Sequence, residues 1–253
     1  MHFTSETSSN GVLERTFLVN DVPGVLWSPE PGSAVTPLLL LGHSGGMHKR
    51  APGLVATALH GVTTHGFTVA AVDAPGHGDR ERSRADRQQV EAIQRARVAR
   101  EPIAPFVAEH TMSVAERAVP EWRATLDALQ TLPEIDAAAP VGYGGMMLGV
   151  TTGMMLTASD SRIAAAGFGA VFVNDALMDV ARQVTVPVEY RVPWDDEDLD
   201  RGAALALFDA VASGEKSLHA RSGRCHPAPD HERADSLRFF ARHLGQGIGQ
   251  VFS

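Results

Sequence analysis

A chain of 253 residues, 44% of them hydrophobic, is long enough to bury one large core, and α/β folds of this size usually form a single domain. Its formal net charge of −8 argues against a nucleic-acid binder, because neutralising phosphates takes a concentrated Lys/Arg surface. The polar N-terminus carries no apolar targeting segment, Leu38–Leu41 is far too short to span a bilayer, and one cysteine, Cys225, allows no internal disulfide, so a cytoplasmic protein that binds no membrane is expected.

In chain order, Arg15 to Val19 and Val22 to Trp27 read as an antiparallel pair turning at Asn20-Asp21, with Pro29-Glu30-Pro31-Gly32 as the next loop. Leu38–Leu41 is a buried strand that runs into Gly42-His43-Ser44-Gly45-Gly46; a helix follows from about Pro52 to His65, and Thr68–Asp73 is another continuous apolar strand. Strands that are apolar throughout and alternate with helices indicate a mostly parallel central sheet flanked by helices on both faces. After Asp73-Ala74-Pro75-Gly76-His77-Gly78-Asp79, a charged helical stretch reaches about Arg100, then a Pro-containing connection leads to a helix from about Val114 to Gln130. The arginines between Arg80 and Arg100 alternate with acidic residues, as on a solvated helix face. Residues 80–114 interrupt the strand–helix alternation and form a candidate helical lid within the single domain 1–253. Ala138–Tyr143 is a short buried strand, and Leu148 to about Ala158 a helix of small residues. Ile163–Phe168, Val186–Arg191 and Lys216–Ala220 complete the sheet, and Asp230–His243 is the closing helix.

Between that short strand and the small-residue helix lies Gly145-Met146-Met147-Leu148-Gly149. Strand, sharp turn and helix, with glycines two residues either side of the centre, make a nucleophile elbow, whose central side chain projects from the top of the sheet. Here the centre is Met147 where a hydrolase carries serine. Two other registers compete: Gly142 to Met146 lacks the second glycine, and Gly149 to Gly153 offers Thr151 but leaves almost no helix before the next strand.

With these segments in this order, the chain resembles the α/β-hydrolase superfamily, near the bacterial dienelactone hydrolases and small esterases. The resemblance spans nearly the whole chain and rests on Leu41-Gly42-His43-Ser44-Gly45-Gly46, on Asp73 to Asp79, on the elbow, and on two C-terminal loops bearing an acid and a histidine. It implies oxyanion-hole amides at Gly45 and Leu148, with His43, Ser44, Met146 and Trp194 as candidate pocket residues. The family acid falls three residues before an apolar one, which favours Asp196 ahead of Leu199, with Asp195 second; the base falls on His226. His77 is expected to be bonded within its own turn rather than catalytic.

An oriented Asp–His pair moves a proton near neutral pH, yet the thioether of Met147 has no proton to give and forms no acyl-enzyme. The expected function is therefore that of an α/β-hydrolase-fold protein acting on a small ester- or carbonyl-containing molecule without covalent serine catalysis, by water-mediated hydrolysis or by lyase, isomerase or cyclase chemistry. Other readings stay open: a catalytically inactive binding protein, another nucleophile at Ser44, Thr151 or Cys225, or a serine esterase altered at residue 147. No cofactor and no metal are expected, since no dinucleotide or phosphate-loop fingerprint occurs and His43 and His48 lack further ligands at metal spacing. The expected partner is a small-molecule substrate or ligand, and a homodimer is left open.

Overall fold

The structure, a computed structural model, describes residues 1–30, 36–225 and 229–245. Nine strands form one sheet in the order β1-β2-β3-β5-β4-β6-β7-β8-β9. β1 (His2–Ser9), β2 (Val12–Val19), β3 (Val22–Pro29) and β5 (Thr68–Val72) pair antiparallel in succession, and β4 (Leu38–Gly42), β6 (Val141–Gly145), β7 (Ile163–Phe168), β8 (Val188–Pro193) and β9 (Lys216–Arg221) continue from β5 in parallel.

The apolar strands at the centre need a cover on both faces, and alternate residues supply one to each side. Leu38, Leu40, Ala70 and Val72 point to one face, where α3 (Ala104–Leu129), α4 (Leu148–Ser159), α5 (Asp175–Ala181) and α6 (Arg201–Ala210) pack. Leu39, Leu41, Val69 and Ala71 point to the other, covered by α1 (Pro52–His65) and α7 (Asp230–His243) through Val62, Leu237 and Phe240. Local signals set the helix ends. α1 opens on Pro52 and stops at Gly66, which is left-handed at φ 66°. α2 (Arg84–Ala99) opens on a capping box in which Ser83 and Asp86 bond each other's backbone N–H. α6 opens where Asp200 accepts the N–H of Ala203 at 3.0 Å.

Three features differ from the expectations. β1 was not anticipated: all but one of its residues are exposed, so it has no apolar alternation to read, and it joins β2 through Asn10-Gly11. α5 was also missed. The helix expected from Val114 begins ten residues earlier at Ala104, so the Pro-containing connection shrinks to 100–103 and Pro105 sits in the first turn, where its missing N–H costs nothing. α3 is therefore one 26-residue helix shared by the candidate lid and the body of the fold. Among the described residues, no helix is long and apolar enough to cross a membrane.

Candidate active site

The central strand β6 ends at Gly145 and α4 begins at Leu148, which leaves Met146 and Met147 to make the turn. Met147 has φ 52° and ψ −112°, a conformation that costs a non-glycine residue about 1–3 kcal/mol and persists only where neighbours enforce it. The neighbours are identifiable. The Met147 N–H donates to the carbonyl of Ala170 at 2.7 Å, tying the turn to the loop after β7. A Cβ on Gly145 would lie 2.6 Å from the carbonyl carbon and oxygen of Gly149, and one on Gly149 would lie 2.7 Å from the carbonyl carbon of Gly42, so strand and helix approach as closely as only glycine permits. Beneath them, the buried Tyr143 hydroxyl donates to the Gly149 carbonyl at 2.9 Å.

The amides of Gly149 and Val150 already bond the carbonyls of Met146 and Met147, both at 2.9 Å, so Leu148 carries the N–H that opens the helix. Its side chain packs with Ala74 and Val114. Met146 lies against Gly169, its sulfur occupying the place a side chain there would take. Thr151 is inside α4 and buried, with no hydrogen-bond partner for its hydroxyl, so no base activates it among the described residues.

Gly45 is exposed at the end of the loop after β4, and a Cβ there would meet open space. The buried His43 holds that loop. Its Nε2 accepts the N–H of Ala74 at 3.0 Å, so the neutral ring carries its proton on Nδ1, which donates to the Ser44 carbonyl at 2.9 Å. Burial lowers its pKa from 6.5 to about 4, and with both nitrogens used the ring serves as a pin between two loops. A charge knot lies next to it. Asp73, fully buried, accepts from the Lys49 N–H at 2.8 Å, the Lys49 Nζ at 2.7 Å and the Asp79 N–H at 3.0 Å. Burial alone pushes the Asp73 carboxyl up, but the donors from Asp79 and Lys49 outweigh it and hold it below the ordinary carboxylate range. Gly78, at φ 57°, lies where any side chain would collide with that carboxylate. Sequence reasoning missed Lys49, because nothing in its neighbourhood signals a lysine buried against two distant aspartates. A groove of about 560 Å³, lined among others by Thr16, Gly24, Lys49, Asp79 and Arg80, lies on this knot and includes no elbow residue.

Over the elbow sit α2 and the first turns of α3. Met147, half-buried, packs on an apolar cluster of Ala96, Ile103, Ala108 and Phe172, on which Ala104, Val107 and Leu199 also pack. Asp86 fastens the two helices through the Arg117 guanidinium at 2.6 Å. His110 of α3 donates from Nδ1 to Gln89 Oε1 of α2 at 2.8 Å, and His77 donates from Nδ1 to the Pro75 carbonyl at 3.0 Å, within its own turn.

The Asp196 carboxylate accepts the N–H of Asp198 at 3.1 Å and that of Cys225 at 2.9 Å, while Asp195 accepts the N–H of Gly223 at 2.9 Å. Both acids thus brace the loop that leads into His226; His226 itself lies outside the described residues. Trp194 is exposed with the Arg201 guanidinium 4.3 Å over its ring. Burial, and then the Asp196 charge, push the Cys225 thiol up to about 12, which leaves it protonated and a poor nucleophile at neutral pH. Among the described residues, no group of three or more His, Cys, Asp or Glu side chains is arranged to hold a metal ion.

A mostly parallel sheet in this strand order, with helices on both faces and a strained strand-to-helix turn at the end of its central strand, is the α/β-hydrolase fold. Among solved structures, the chain is similar to a cold-adapted esterase from an Arctic intertidal metagenomic library, in complex with polyethylene glycol, at 28% identity over 96% of this chain and 100% of that one, with a TM-score of 0.77. It is also similar to an acetyl xylan esterase from Paenibacillus sp. R4 at 13% identity, over 96% and 88% of the two chains with a TM-score of 0.67. A third is Est1E from Butyrivibrio proteoclasticus with ferulic acid bound, at 14% identity over 93% and 99%, with a TM-score of 0.65. The last two likenesses carry the fold alone. No protein-family model and no curated protein matches the chain.

Proposed function

We propose that this protein acts on a small ester- or carbonyl-containing molecule at the elbow by non-covalent chemistry. The observation that carries this reading is the turn at Met147: the backbone is held in the strained shape that presents a nucleophile, while the side chain presented has no hydroxyl. The family-like assignment gives the substrate carbonyl oxygen to the amides of Gly45 and Leu148, with Asp196 orienting His226. In the hydrolytic form of the reaction, His226 takes a proton from water as the water oxygen bonds the carbonyl carbon. The oxyanion then collapses, the C–O bond to the leaving alcohol breaks, and His226 returns the proton to that alcohol. The 28% identical esterase supports hydrolysis ahead of lyase, isomerase or cyclase chemistry.

One observation favours a second reading, in which the pocket binds without turnover: the Met147 side chain packs on the apolar cluster of Ile103, Ala108 and Phe172, where a serine would leave room. Met147→Ser separates the two. If the oxyanion amides and the base are in place, the variant gains esterase activity on small activated esters by on the order of 10²-fold or more over the wild type, with a burst and a trapped acyl group. A folded but inert Met147→Ser protein overturns the hydrolase geometry of the site and leaves the binding reading.

A further inference from the structure

The lid side of the elbow carries two histidines that the reaction above does not use. His110 stands on α3 between Ala108, which packs on Met147, and Val114, which packs on Leu148 and Ala74. His77 is three residues beyond Ala74, and its ring centroid is 5.3 Å from that of His43, the pin of the loop bearing Gly45. Both side chains are buried. Both rings spend the Nδ1 proton on an oxygen, Pro75 for His77 and Gln89 for His110, so the lone pair of each neutral ring is on Nε2.

Neither Nε2 has a partner among the described residues. Neither belongs to the buried side-chain atoms that are sealed from solvent without a partner, which are Arg15 Nε, Thr151 Oγ1, Thr157 Oγ1, Tyr190 OH and Arg191 Nη2. Each Nε2 therefore borders space that a water molecule reaches. Burial lowers the pKa of both rings, and each faces charge of both signs: Arg82, Asp86 and Asp73 at His77, and Asp86, Arg117 and Arg82 at His110, where His77 also opposes protonation. At neutral pH both are hydrogen-bond acceptors. Around Met147 the surroundings are different in kind, an apolar cluster of Ile103, Ala108 and Phe172 on which Val107 and Leu199 also pack.

We propose that His110 and His77 form an acceptor subsite, and that the molecule bound at the elbow is an ester with an apolar arm against Phe172 and a hydroxyl donated to a histidine Nε2. This rests on the elbow being the binding site, as in the function proposed above. A site built to accept a hydroxyl discriminates against the analogue that lacks it, because an acceptor desolvated by the ligand is left unpaired.

The test is calorimetric binding to the wild-type protein of methyl benzoate, its 2-, 3- and 4-hydroxy isomers, and the matching methoxy compounds, which accept but do not donate. At least one hydroxy isomer is expected to bind about fivefold or more tightly than methyl benzoate, with its methoxy counterpart gaining nothing. His110→Leu or His77→Leu is expected to erase that preference, and His110→Gln, which restores an acceptor oxygen, to keep it. Folding of each variant is checked by its melting temperature. Binding of methyl benzoate with no preference for any hydroxy isomer, or a preference that survives both leucine variants, overturns the acceptor subsite and leaves the elbow as a binding site. If none of the esters binds the folded wild type, the elbow reading and the subsite fall together.

Discussion

Gly149 faces the carbonyl of Gly42 across the elbow, and a single methyl group there has no side chain to push aside, only backbone. Gly149→Ala is therefore expected to cost about 3 kcal/mol, read as a lower denaturation midpoint at unchanged slope, whereas Gly45→Ala, with open space around its Cβ, stays near wild type. His43 gives a different kind of prediction. Its folded pKa of about 4 lies below the unfolded 6.5, so the unfolded chain takes the proton first, and the contribution is complete above pH 6.5 and lost as pH falls toward 4. At pH 5 the loss from this one ring is about 2 kcal/mol, with His77 and His110 adding in the same direction. His43→Gln keeps an acceptor for Ala74 and a donor for Ser44 without a titrating group, so chemical denaturation at pH 7.5 and pH 5 should show a flatter dependence for the variant. An equally steep loss would place the titrating group elsewhere.

One carboxylate fastens the α2–α3 hairpin at two points. Asp86 closes the capping box at the start of α2 and receives Arg117 of α3, and its own side chain is almost fully enclosed. Asp86→Ala removes both, at a cost of about 2 kcal/mol confined to the hairpin, so amide exchange in α2 should speed up roughly thirtyfold while β6 and α4 keep their protection. Uniform acceleration would mean that α2 does not open on its own. Much of this element-level plan was legible beforehand because apolar runs such as Leu38–Leu41 and Thr68–Val72 admit few other readings. The hairpin was less legible: a proline at position 105 reads as a break in sequence, whereas in a first helical turn it is harmless, and only position distinguishes the two. At the site, the glycine spacing of the elbow and the apolar Leu199 beside Asp196 could be read from the chain. The pinning of His43 could not, because its partner amide, Ala74, comes from a loop thirty-one residues away.

At the scale of the molecule, the sheet ends in two strands that put most of their side chains into solvent, β1 at one edge and β9 at the other. β1 covers little of the core, Phe3 being its one half-buried apolar contact, so removing residues 1–10 is expected to leave the far-ultraviolet spectrum intact and to lower the melting temperature modestly. The newly bared edge of β2 should make the shortened protein more prone to associate at high concentration, which light scattering would register.

The long α3 has a further consequence for how anything reaches Met147. Its upper turns roof the elbow, while its lower turns carry Trp122, Leu126 and Leu129 into the buried core, so roof and foundation are one beam. Raising that roof would drag core side chains out of their packing, a cost far beyond thermal reach, and the only kink its sequence provides is Pro120, below the level of the elbow. A ligand of the proposed elbow site would therefore reach Met147 along the flank of this beam rather than beneath a swinging cover.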